Sequence, residues 1–253
     1  MQLASETGYE GKFDFAPRAG QPAVTYLLAT VPRTGSTLLS HALWASGCLG
    51  APLEYLNFVS DGPYGFASGS PEAQQRLWES VIRRRCSPNG VFGLKAFPSQ
   101  LEELRERNLA LLSAALRVLL PGNGASKVVE LRRRDRTAHA ISYARAILSG
   151  VWRKEQEHGD AAEPEYSEAA VANAARLIEQ QEGAWQAMYR DLALEPLVLW
   201  YEDVVADPDA ATRAVAEFLG IELDPAARVE VPEIERQAQA GAREWAEQHA
   251  KGS

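Results

Sequence analysis

The sequence predicts a single α/β domain: a parallel β-sheet with helices on both faces. Three observations carry that prediction. Four short apolar runs, Val24–Val31, Val91–Phe97, Lys127–Leu131 and Pro196–Trp200, have the length of buried strands and are bounded by turn residues. Longer amphipathic stretches separate them, the alternation that gives a parallel sheet. The chain has 253 residues, 46% hydrophobic and 24% charged, enough for one large core and short for two.

Residues 1–22 are polar and punctuated by Gly and Pro, which predicts a loosely held arm ahead of one domain over 23–253. The first strand runs through Pro32–Ser36 into a helix from Thr37, whose Leu38, Leu39, Ala42 and Leu43 are spaced for one buried face, with Gly47 as its C-terminal cap. Cys48–Phe58 begins as a loop and holds one acid, Glu54, among apolar neighbours. Ser60–Ser70 is a Gly- and Ser-rich loop. Ser70 caps a helix to Arg85, with Pro71 in its first turn. Asn89-Gly90 turns the chain into the second strand, which carries Lys95 near its end. Residues 99–119 form one amphipathic helix, stopped by Pro121-Gly122-Asn123-Gly124.

The third strand runs directly into Arg132, Arg133, Arg134, Asp135 and Arg136, then a helix over Thr137–Leu148. Gly150–Pro164 is a polar loop with Trp152 and Arg153. A Ser167-capped helix reaches Asp191, and the fourth strand is followed by Tyr201-Glu202-Asp203. Asp207-Pro208 opens a helix ending at Gly220, and the charged tail over 233–250 is helical. There is no internal repeat.

A formal net charge of −8 argues against a general nucleic-acid binder and requires that any anionic ligand be held by a local positive site. Cys48 and Cys86 make no disulfide framework, and no Cys/His spacing fits a metal site. The first residues lack a basic segment followed by an apolar core, and the longest apolar runs are strand-sized, so the expectation is a soluble cytoplasmic protein without a membrane span.

Strand, short Gly-containing loop and helix start is an arrangement that binds phosphate-like anions, through unpaired backbone N–H groups and the positive end of the helix dipole. In such sheets ligands sit beyond the carboxyl ends of the strands, which places Arg33–Thr37, Lys95 and Arg132–Arg136 around one crevice. Gly35 lets the backbone approach an anion, and Arg33 adds a fork of donors. This is not the triphosphate loop, because no Lys follows Gly35. The plainer alternative is a strand-to-helix turn capped by Ser36 or Thr37. For the arginines the alternative is a solvated helix start, weakened because cations are unfavourable at a helix N-terminus unless an anion is bound. A lone Glu is usually solvated, but partial burial of Glu54 would raise its pKa toward the range of a useful base. His139, on the helix after the arginines, reads as a packing or surface residue.

At this point the residues resemble a known family. V-P-R-T-G-S-T-L-L (31–39) resembles the 5′-phosphosulfate loop of sulfotransferases, and R-R-R-D-R-T-A-H-A-I-S-Y (132–143) their 3′-phosphate element. G-A-P-L-E-Y (50–55), N-G-V-F-G-L-K (89–95), G-V-W-R (150–153), Q-E-G-A-W (181–185) and E-R-Q-A (235–238) follow in the order found in the bacterial Stf0 type. No single motif is decisive, but their common order is specific.

The resemblance implies 3′-phosphoadenosine-5′-phosphosulfate (PAPS) as co-substrate and sulfuryl transfer, without a metal, to a hydroxyl of a small-molecule, possibly carbohydrate, acceptor. It implies that Arg33, Thr34, Gly35, Ser36 and Thr37 hold the 5′-phosphosulfate, with Arg33 also catalytic, and that Arg133 and Ser142 hold the 3′-phosphate. Which of Arg132, Arg133 and Arg134 makes that contact stays open by one position. It implies Glu54 as the general base, Arg236 and Gln237 over the nucleotide, and a homodimer. The acceptor pocket falls to segments 55–70 and 150–166, with Trp152, Arg153 and Tyr166 as lining candidates. Two other readings compete: a nucleotide kinase-like phosphoryl transferase, and a non-catalytic nucleotide-binding protein.

Overall fold

The computed structural model describes residues 6–58, 69–122, 124–152, 164–233 and 239–252. Four strands, β1 (Val24–Ala29), β2 (Val91–Ala96), β3 (Val128–Arg132) and β4 (Leu197–Trp200), form one all-parallel sheet in the order β2-β1-β3-β4. Ala29 pairs with Ala96 on one side and Glu130 on the other, so the carboxyl ends of the three inner-site strands lie abreast.

Period-two alternation divides the core into two layers. Leu27, Ala29, Phe92, Leu94 and Val128 face one layer, filled by α2 (Pro71–Arg85), α4 (Leu109–Leu119), α5 (Arg136–Ser149) and α6 (Glu168–Asp191). Tyr26, Leu28, Val91, Val129 and Leu131 face the other, filled by α1 (Ser36–Ala45) and α8 (Pro208–Leu219). Both faces are therefore covered, as a parallel sheet requires. α7 (Tyr201–Ala206) follows β4 directly, and α9 (Gln239–Gly252) closes the chain. No helix among the described residues is long and apolar enough to cross a membrane.

Two sequence expectations change. The single helix over 99–119 is two, α3 (Pro98–Arg107) and α4, broken at Asn108. The Asn108 side chain accepts from Leu111 N–H at 3.0 Å and donates to Gln74 at 2.7 Å. An Asn that can cap a new helix and bond a buried neighbour outcompetes continuation.

The arm is not loosely held over its described part. Tyr9 and Phe15 are buried, and Phe15 N–H donates to Arg84 O at 2.9 Å. The fully buried Arg85 guanidinium donates to the carbonyls of Gly8 (2.9 Å) and Glu10 (3.4 Å) and pairs with Asp14 at 2.9 Å. Polar composition suggested mobility, but here one buried cation satisfies the polar backbone of the arm.

Candidate active site

The loop between β1 and α1 is folded by two left-handed residues, Arg33 (φ 70°) and Gly35 (φ 83°). A Cβ on Gly35 would stand 2.3 Å from Cδ2 of Tyr201, so this position needs glycine for space as well as for its backbone angle. Buried side chains hold the loop from below. Trp185 Nε1 donates to Thr30 O and His139 Nε2 to Pro32 O, both at 2.8 Å. The Thr34 hydroxyl donates to Val31 O at 2.9 Å. The turn thus engages the Thr34 hydroxyl internally.

His139 is a buried packing residue that fixes the loop. Because a carbonyl only accepts, the ring's Nε2 carries a proton. Burial, then the nearby Arg133 guanidinium, push it down from an ordinary 6.5 to about 4 against the Pro32 bond. The folded protein excludes a proton that the unfolded chain accepts below 6.5. His139 thus contributes stability that is full above pH 6.5 and lost as pH falls toward 4. Melting temperature is expected to fall over that window, with a shallower fall in His139→Asn.

The first turn of α1 has Gly35 at its N-cap and no side-chain cap. This differs from the plainer alternative of a turn capped by Ser36 or Thr37, and from α2, α4, α5, α6 and α8, which are capped by Ser70, Asn108, Asp135, Ser167 and Asp207.

Lys95 reaches this same turn from β2. Strand alternation puts it on the face of Val91, toward α1. Its Nζ, on a side chain only 3% exposed, lies 3.0 Å from Glu54 Oε1 and 3.5 Å from Thr37 Oγ1. Glu54, 12% exposed, receives Gln100 Nε2 on its second oxygen at 3.1 Å. Its segment runs along the free edge of β2, where Leu53 bridges Leu94 in parallel and accepts Lys95 N–H at 3.1 Å. Sequence reasoning placed Lys95 in the crevice but missed its pairing with Glu54; the alternation of β2 carried that signal. Gln100 had none, since its contact depends on how α3 docks.

The other side of the loop gathers Arg33, Arg133 and Ser142. Arg33 Nε donates to Ser142 Oγ at 3.1 Å, and its Nη1 to Trp152 O at 2.7 Å. Arg133 Nη1 reaches Arg33 O at 3.4 Å, and its guanidinium lies 4.8 Å from the centre of the Tyr201 ring.

The rest of the arginine run, expected around the same crevice, is ion-paired: Arg132 with Glu130 (3.0 Å), Arg134 with Asp203 (2.6 Å) and Arg136 with Glu182 (2.5 Å). Asp135 caps α5, so the clash between cations and helix dipole is settled by acids of the protein. Alternation again sorts them: Arg132 follows Glu130 on the α6 side, and Arg133 falls toward the loop. A cavity of about 400 Å³ opens beside these groups, lined by Arg132, Arg133, Arg134, Arg136, Glu182 and Trp200.

Arg236, Gln237 and Arg153 lie outside the described residues. Trp152 is 41% exposed and stands edge-on to Tyr143, whereas Tyr166 turns toward α9, with its hydroxyl 2.9 Å from His249 Nδ1. No group of three or more His, Cys, Asp or Glu able to hold a metal occurs among the described residues.

The family model described as Stf0 sulphotransferase matches residues 25–251. The chain is 28% identical over 256 residues to the trehalose 2-sulfotransferase of Mycobacterium tuberculosis (strain ATCC 35801 / TMC 107 / Erdman), covering 88% of this chain and 93% of that one. It is 27% identical to the trehalose 2-sulfotransferase of Mycolicibacterium smegmatis (strain ATCC 700084 / mc(2)155), covering 89% and 94%. A solved sulfotransferase domain from the curacin biosynthetic pathway superposes with a TM-score of 0.49 at 13% identity, covering 91% of this chain and 99% of that domain.

Proposed function

This chain belongs to the Stf0 sulphotransferase family, and on that premise we propose that it transfers a sulfuryl group from PAPS to a hydroxyl of a small carbohydrate. The mycobacterial relatives named for trehalose support a sugar acceptor. One observation carries the reading: the Glu54–Lys95 pair meets Thr37 at the uncapped start of α1, and Arg33, Arg133 and Ser142 gather at the same loop.

In this reading Glu54 takes the proton of the acceptor hydroxyl as that oxygen attacks sulfur and the bond from sulfur to the donor phosphate breaks. Arg33 and the N–H groups at the start of α1 stabilise charge on the sulfuryl oxygens and the departing phosphate. This is preorganised electrostatics of the kind that serves phosphoryl transfer. Lys95 supplies, from the neighbouring strand, the ammonium that the loop lacks after Gly35. Arg133 and Ser142 hold the 3′-phosphate, and stacking on Tyr201 presets the Arg133 fork.

The test is calorimetric titration with 3′-phosphoadenosine 5′-phosphate, with ATP and ADP as controls. Selective binding of the 3′-phosphorylated nucleotide is expected, weakened at least tenfold in Arg133→Ala, since a charged hydrogen bond contributes about 1.5–3 kcal/mol. Equal binding of ATP would favour a phosphoryl transferase. Selective binding without turnover on any sugar would favour a non-catalytic nucleotide binder.

A further inference from the structure

The segment carrying Glu54 is also held by a part of the chain that lies before the family match. That match begins at residue 25, whereas Tyr9 belongs to the arm. Its ring is buried, 9% exposed, and packs edge-on against Tyr55 with centroids 6.2 Å apart. Its hydroxyl accepts the backbone N–H of Glu54 at 3.1 Å.

The peptide joining Leu53 to Glu54 is thereby held at both ends. Its carbonyl accepts Lys95 N–H at 3.1 Å and its N–H donates to Tyr9. A peptide unit is planar and its C=O and N–H point in opposite directions, so these two bonds fix the plane from which the Glu54 side chain departs. The β2 edge holds one side and the arm the other.

The arm can serve as that second wall because it is itself fixed. Arg85 binds it through Gly8, Glu10 and Asp14, and lies over the Trp44 ring at 5.6 Å. The Arg85 carbonyl also accepts Ala51 N–H at 3.1 Å. One residue of α2 therefore ties both the arm and the Glu54 segment to the same point of the fold.

We infer that Tyr9 is a positioning residue for Glu54 and that the arm is a working part of the site. The inference rests on the reading of Glu54 as proton acceptor. Tyr9 acts on Glu54 through its backbone N–H. Removing its hydroxyl leaves the Glu54 N–H without that partner and frees the peptide to tilt, and small displacements of a catalytic group are costly in rate.

The test compares Tyr9→Phe, which keeps the ring, with wild type and with Glu54→Gln. In Tyr9→Phe, kcat for sulfation is expected to fall roughly tenfold while the dissociation constant of 3′-phosphoadenosine 5′-phosphate stays unchanged. In the Glu54→Gln background the same change should cost nothing further, because residues acting through one another are not additive. Amide hydrogen exchange at Glu54 should speed up by about tenfold in Tyr9→Phe, with amides of β1 unaffected. A wild-type kcat in Tyr9→Phe, or an equal loss in both backgrounds, overturns the inference. If the wild-type protein sulfates nothing, the enzymatic reading fails separately. Glu54 amide exchange then decides for or against the Tyr9 contact, and unchanged exchange overturns it.

Discussion

Glu54→Gln is expected to lower turnover by about 10²–10⁴-fold, the usual contribution of a general base, while the affinity for 3′-phosphoadenosine 5′-phosphate stays within about twofold of wild type. The substitution keeps the shape of the side chain and the hydrogen-bonding position toward Gln100, but removes the charge that takes the proton. Arg33, Arg133 and Ser142 bond one another on the other side of the loop, so nucleotide binding has no reason to follow. Steady-state kinetics with a carbohydrate acceptor, alongside calorimetry, check it. Near-normal turnover in Glu54→Gln would show that another group accepts the proton.

Lys95→Met tests the partner and should act on stability as well as rate. Lys95 is buried and the Glu54 side chain only 12% exposed, and removing one member of a buried pair costs up to about 3–5 kcal/mol, an upper bound here because Glu54 keeps some contact with solvent. Chemical denaturation should show that loss, and the double variant Lys95→Met/Glu54→Gln should recover much of it, because the stranded carboxylate is then gone. Turnover should fall by about 10²–10³-fold, the typical effect of removing one donor aimed at developing charge. Recovered stability in the double variant would assign the loss in Lys95→Met to the stranded carboxylate of Glu54. A single variant as active as wild type would leave Lys95 a purely structural ion.

Much of this was legible in the sequence because it is local. The four apolar runs became four strands, within two residues of their expected ends, since length and turn residues decide a buried strand. Ser70, Ser167 and Asp207 cap the helices they were expected to open, because a cap needs only a hydroxyl or carboxylate three residues before its N–H. The loop Arg33–Thr37, the acid Glu54 and the pair Arg133 and Ser142 stand out as residue types at fixed spacing, and the family match spans all of them.

What the sequence alone determined is thus the alternating α/β order, the strand–loop–helix junction at Arg33–Thr37 and the identity of one candidate base. Only the tertiary structure decided which acids pair with those charges. Arg132, Arg134 and Arg136 look alike in the chain, yet Glu130, Asp203 and Glu182 neutralise them from three different elements. Lys95 and Glu54 are 41 positions apart (95 − 54), and their contact follows from the extra edge segment pairing with β2. Tyr9 sits in a polar arm whose docking depends on one buried arginine in α2. Period and capping act over a few residues and leave a mark in sequence. Charge pairing and peptide positioning act through space at about 3 Å, between residues that only the packed fold brings together.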